Sequence, residues 1–106
     1  MPSLDQLRTL CGGARDGALL RLSIANALHA AGDLPGAIEE LRTALRFDRQ
    51  YSAAWKALGA ALAQTGAVDD AVAAYRSGIG AAQQRGDKQA EKEMGVFLKR
   101  LEKARG

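Results

Sequence analysis

Apolar residues recur along this chain at intervals of three and four, the spacing that lines up side chains on one face of a helix. No stretch alternates with the period of two that a half-buried strand needs. From 18 to 31 the stripe is Leu20, Ile24 and Leu28 with Ala25, Ala27 and Ala31 beside it, and Gly32-Asp33 ends it. A second helix is expected over 35–47, with Ala37, Ile38, Leu41, Ala44 and Leu45 on one face. Pro35 suits its first turn, where a backbone N–H would have no partner anyway. Ser52 is the expected N-cap of a third helix through Trp55, Leu58, Leu62 and Ala63 to Thr65, and Gly66 offers the left-handed stop. A fourth starts near Val68, carries Ala71, Val72, Tyr75 and Ile79, and runs on to Gln84 before Gly86. Asp87 caps a fifth with Ala90, Met94, Phe97, Leu98 and Leu101, and at the front Ser3 caps a short helix stopped by Gly12-Gly13. The expected fold is all-α.

Shifting the chain by 34 residues places Gly32 on Gly66, Ala37 on Ala71, Ile38 on Val72, Leu28 on Leu62, Ile24 on Leu58, Ala25 on Gly59, Leu41 on Tyr75 and Leu45 on Ile79. The matches gather at small and apolar positions, where two helices in contact constrain the side chain most. A helix–turn–helix unit of this period is the length of a tetratricopeptide repeat (TPR). The second copy resembles that family at Trp55, Leu58-Gly59, Leu62, Gly66, Ala71, Tyr75 and Gly78; the first, at Arg21, Ile24-Ala25, Leu28, Gly32, Ala37, Leu41 and Ala44, is looser. Arg49 and Gln83 stand where the family has a late proline. The resemblance implies a right-handed α-α superhelix, a TPR-like stack of helical hairpins with repeats over 18–51 and 52–85.

With a shift of 36, Met94-Gly95 falls on Leu58-Gly59 and Leu98 on Leu62. Residues 87–104 therefore read as the first helix of a third unit, displaced two places because the helix before it is longer, and serving as a cap. Stacked repeats need a terminal element with a polar outer face, which Lys88, Glu91, Lys92, Lys99, Lys103 and Arg105 supply. Residues 3–11 make an N-terminal half unit. The expectation is two full repeats, that half unit and a capping helix in a single domain over 1–106.

Composition narrows the function classes. Twenty-two alanines fit close helix-to-helix contacts as well as helix propensity. The formal net charge is +3, but residues 1–50 hold six charges of each sign, and the charge balance along the chain shows no basic stripe with stacking aromatics, so nucleic acid is not an expected partner. No apolar run reaches the roughly 18–20 residues of a membrane span, and the N-terminus lacks the basic start of a signal peptide. A cytoplasmic protein without membrane contact is expected. The single Cys11 cannot form an internal disulfide, and with His29 as the only histidine there is no ligand set for a metal and no catalytic constellation. Glu39-Glu40 and Asp69-Asp70 read as acids in the first turns of helices, favoured there by the macrodipole. No enzyme activity, cofactor or metal is expected.

Function is then expected from a surface. In the TPR family the first helices of successive repeats line a concave groove that holds an extended or helical peptide. By that resemblance the groove positions are Leu22, Asn26 and His29 from the first copy and Lys56, Ala60, Ala63 and Gln64 from the second, with the inner face of the capping helix as a third wall. Asn26 offers a donor and an acceptor to a peptide backbone and Lys56 can meet a carboxylate. Some TPR domains grip the terminal carboxylate of chaperone tails with lysine, asparagine and arginine. Here Asn26 matches, but Leu22, Ala57, Asp87 and Glu91 depart from that set. An adaptor that binds a protein or peptide is the leading expectation; a structural homo-oligomer, a weak homodimer through the stack ends or the cap, is the alternative.

Overall fold

The structure, a computed structural model, describes residues 2–105. Its helices are α1 (Leu4–Arg8), α2 (Ala18–Ala30), α3 (Leu34–Phe47), α4 (Ser52–Gln64), α5 (Val68–Arg85) and α6 (Lys88–Arg105). No strand occurs among the described residues. α2 and α4 begin 34 residues apart, as do α3 and α5, so the period seen in the sequence is the period of the hairpins. α5 runs on to Arg85, four residues past the point that corresponds to the end of α3, and α6 accordingly starts 36 residues after α4.

The hairpins turn by one mechanism. Gly32, Gly66 and Gly86 take positive φ of 84°, 85° and 72°, a conformation that costs a side chain with a Cβ but is free to glycine. The next residue's N–H then reaches back to the helix: Asp33 donates to the Leu28 carbonyl at 2.9 Å, Ala67 to Leu62 at 3.0 Å and Asp87 to Ala82 at 2.8 Å. This is the Schellman closure, which satisfies carbonyls the helix end leaves open. Starts are more varied. Ser3 and Gln6 form a reciprocal capping box on α1, Asp33 accepts from the Gly36 N–H, and Asp87 accepts from the Ala90 N–H at 3.1 Å.

Two local expectations are corrected. Ser52 is not a cap: Tyr51 holds the N-cap position in an extended conformation, and the buried Ser52 hydroxyl donates to Asp87 Oδ2 at 2.9 Å, joining the starts of α4 and α6. Glu39-Glu40 also lie outside the first turn, because α3 begins at Leu34 and reaches them in its second. Glu40 is spoken for instead by Arg21, at 3.1 Å. Asp69 and Asp70 do occupy the first turn of α5.

Each helix packs chiefly on its neighbours in sequence, as a repeat stack requires. One buried cluster runs from α2 to α5 around Ile24, Leu41 and Leu58, and a second joins Tyr75, Ala82, Ala90 and Met94 beneath α6. Trp55 lies against both. The small residues of the repeat pattern sit where backbones approach: Ala25, Ala37 and Ala71 are buried, and a Cβ on Gly59 would come within 2.5 Å of the Tyr75 ring. The result is a stack of two helical hairpins, α2–α3 and α4–α5, with α1 before it and α6 packed on its far end. Its extents are 43 × 30 × 21 Å and its radius of gyration is 13.7 Å, above the ~13 Å of a compact domain this long. No helix among the described residues is long and apolar enough to cross a membrane.

The looser first copy has its own anchor. Arg21, which corresponds to Trp55, holds Asp16 at 2.9 Å and Glu40 at 3.1 Å, with all three side chains mostly shielded. The Arg21 guanidinium, helped by the Gly12 N–H, keeps the Asp16 carboxyl well below the usual carboxylate range. A carboxyl depressed in the folded chain stabilises it fully above its ordinary value of about 3.9 and loses that contribution as pH falls further. The melting temperature is therefore expected to drop on acidification below about pH 4, and Asp16→Asn is expected to flatten that drop. Parallel acid profiles for the two proteins, followed by circular dichroism, would show that the trio carries no weight.

Candidate functional site

The first helices of the units, α2, α4 and α6, share a shallow depression of about 390 Å³. Leu22 and Asn26 line it from α2, Ala53, Lys56, Ala57 and Ala60 from α4, and Phe97 from α6. The α4 residues fall at i, i+3, i+4 and i+7, one face of a helix, and three of the four are alanine. The floor is therefore low and apolar, with room above it for another chain.

Four of the residues expected at a groove, Leu22, Asn26, Lys56 and Ala60, are brought together here. His29, Ala63 and Gln64 lie farther along α2 and α4, outside the depression; His29 and Ala63 are half-buried and Gln64 is exposed. Asn26 is exposed, and it also borders a second hollow of about 330 Å³ where Pro2 and Leu7 face Ser23, Ala27 and Ala30. The depression has three residues that sequence reasoning did not single out as groove positions. Ala53 and Ala57 share the helical spacing of Lys56 and Ala60, which is the signal that identifies them. Phe97 was expected on the buried side of the cap with Met94 and Leu98. Met94 is fully buried, whereas Phe97 is 37% exposed, turned to the depression and stacked obliquely on Tyr75 at 5.8 Å between ring centres.

Lys56 is already engaged. Its Nζ donates to Glu93 Oε1 of α6 at 3.2 Å, a pair only half shielded from water, so a partner carboxylate would share or displace Glu93. The exposed pair contributes about 0–1 kcal/mol and chiefly fixes where the α6 wall stands. Asp87, at the root of that wall, is held below the usual carboxylate range by the Ala90 N–H and the Ser52 hydroxyl. Among the described residues no group of three histidine, cysteine or acidic side chains converges as a metal site would require. Cys11 is half-buried against the core, a small apolar residue in that setting.

A stack of helical hairpins whose first helices turn one shared face outward is the architecture of a helical-repeat protein. A family model for the TPR repeat matches residues 25–66. The TPR repeat-containing protein PA0015 of Pseudomonas aeruginosa is 40% identical over 102 residues, covering 96% of this chain and 97% of that protein. The solution structure of protein BPP2914 from Bordetella parapertussis superposes with a TM-score of 0.83 at 38% identity, over 98% of this chain and 90% of that one. The chain belongs to the tetratricopeptide repeat family. TPR repeats are in general protein–protein interaction modules, and the family is generally non-catalytic.

Proposed function

We propose that this protein is an adaptor whose concave groove receives an extended or helical segment of a partner protein. The observation that carries the reading is the depression shared by α2, α4 and α6, with its alanine floor, the exposed Asn26 amide on one side and the Phe97 ring on the other. Alanines leave space but few directional contacts, so recognition rests on shape, on an apolar side chain against Leu22 and Phe97, and on backbone hydrogen bonds to Asn26. The partner is a protein, and its chemistry at the contact is mainly apolar.

A photo-crosslinking side chain at Ala57, introduced in the native cell, is expected to capture a partner. Ala60→Arg, which fills the groove with a charge, is expected to suppress that adduct. Adducts at Ala57 that survive Ala60→Arg, or adducts only from the exposed Ser77 of α5, would dismiss the groove.

Self-association is the second reading, favoured by one observation: Val96 and Phe97, adjacent on the last helix, are 43% and 37% exposed. Under this reading α6 pairs with a second copy. Light scattering over a concentration series separates the two, because a groove adaptor stays monomeric while an α6-paired chain gains mass.

A further inference from the structure

The opposite side of α4 borders a different kind of hollow. Trp55 and Leu58 point about 180° away from Ala53, Lys56, Ala57 and Ala60, at 100° of rotation per residue. With Leu45 they floor a depression of about 510 Å³ rimmed by Arg42, Arg46 and Arg49. Leu45 and Leu58 are buried and Trp55 is half-buried, while the three arginines are exposed. Arg42 and Arg46 stand one turn apart on α3, and Arg49, in the turn that follows it, completes a basic rim that charge sums over half the chain conceal.

None of these arginines has a carboxylate at ion-pair distance among the described residues; the pairs there use Arg21, Lys56, Arg76, Arg85 and Arg105. Arg46 donates only to the Thr43 hydroxyl, at 2.8 Å. Asp48, beside Arg49 in the chain, is taken up by Arg85 at 2.6 Å, and the exposed Glu39, one turn before Arg42 on α3, is not within ion-pair distance of it. Asp70 lies beyond Arg42 in the adjoining hollow and marks where the basic stretch ends. Like charges four residues apart destabilise a helix, so Arg42 and Arg46 repel one another until an anion lies between them.

We propose that this rear depression binds an acidic peptide segment carrying one large apolar side chain. The side chain rests on Leu45, Trp55 and Leu58, and carboxylates on either side of it pair with Arg42, Arg46 and Arg49. Guanidinium groups suit that task through planar, two-pronged donation to carboxylates. A peptide fits better than a single-stranded nucleic acid, because one half-buried aromatic ring provides no platform for successive bases. The site is separate from the concave groove and does not depend on it.

Trp55 is the only tryptophan and lines both this depression and the hollow beside it, so its fluorescence reports on this side of α4. The probe is a synthetic peptide of glutamates on both sides of one phenylalanine. It is expected to change the Trp55 emission saturably and to bind more weakly as salt is raised. Arg42→Gln, Arg46→Gln and Arg49→Gln are each expected to weaken it roughly threefold. Exchanging the peptide's phenylalanine for alanine is expected to weaken it further, and Asn26→Ala to leave it unchanged. All three arginines are exposed, so the variants are expected to stay helical, which circular dichroism checks. The proposal is overturned by any of three results: no saturable change, binding that persists in the triple arginine variant, or tighter binding of single-stranded oligoadenylate than of the peptide.

Discussion

Gly59→Ala is expected to destabilise the chain by about 1–3 kcal/mol, the usual cost of overpacking a close contact. The new methyl carbon would lie 2.5 Å, 2.6 Å and 2.8 Å from three carbons of the Tyr75 ring. That ring is buried, with Phe97 at 5.8 Å, so it has little room to withdraw. The first repeat provides the natural control: there the same two positions are Ala25 and Leu41, both buried and accommodated without conflict. Tyr75→Leu added to Gly59→Ala is therefore expected to recover stability, with a coupling on the order of 1 kcal/mol in a urea-denaturation cycle. Additive losses would mean that the contact does not set the spacing of α4 and α5.

Met94→Ala is expected to cost about 2–5 kcal/mol, as for other fully buried side chains cut back to alanine. Met94 is 0% exposed and is the one large residue of α6 that is. Its sulfur lies over Gly78 of α5, where a Cβ would stand 2.5 Å away, so glycine on one helix and a flexible thioether on the other fit as a pair. α6 has a single extensive neighbour, α5. Loss of this anchor should loosen the helix as a unit, and with it the Glu93 partner of Lys56 and the Phe97 wall. Limited proteolysis should then cut the variant near Asp87 before the hairpins unfold. A loss below about 1 kcal/mol, within the range of a surface change, would show that the cap is held by something else.

The repeat was legible because packing imposes it: close helix crossings demand small residues at Ala25, Ala37, Gly59 and Ala71, and a 34-residue period repeats that demand. Helix ends marked by Gly32, Gly66 and Gly86 were equally plain, since the left-handed turn selects glycine. The even spread of charge pointed away from a basic surface, but Arg42 and Arg46 on α3 and Arg49 in the turn after it make one locally. Contacts across long separations were not legible. Ser52 has the chemistry of an N-cap and meets Asp87 instead; Lys56 looks free for a partner and meets Glu93. Phe97 shares the apolar stripe of α6, yet only one helix covers that face, so the ring is left to wall the groove.

The lining of the depression was legible in part. Positions 22, 26, 56 and 60 meet at one depression because successive turns of α2 and α4 run side by side. His29, Ala63 and Gln64 lie a turn too far on, beyond the reach of the α6 wall.

The central claim, that the face shared by α2, α4 and α6 takes the partner segment, is most directly tested by placing the photo-crosslinker in turn at Ala57, Asn26, Phe97, Ser77 and Leu19. The account predicts adducts with one common partner from Ala57, Asn26 and Phe97, lost together on Ala60→Arg, and none from Ser77 or Leu19. Adducts confined to Ser77 or Leu19, or undiminished by Ala60→Arg, would contradict it.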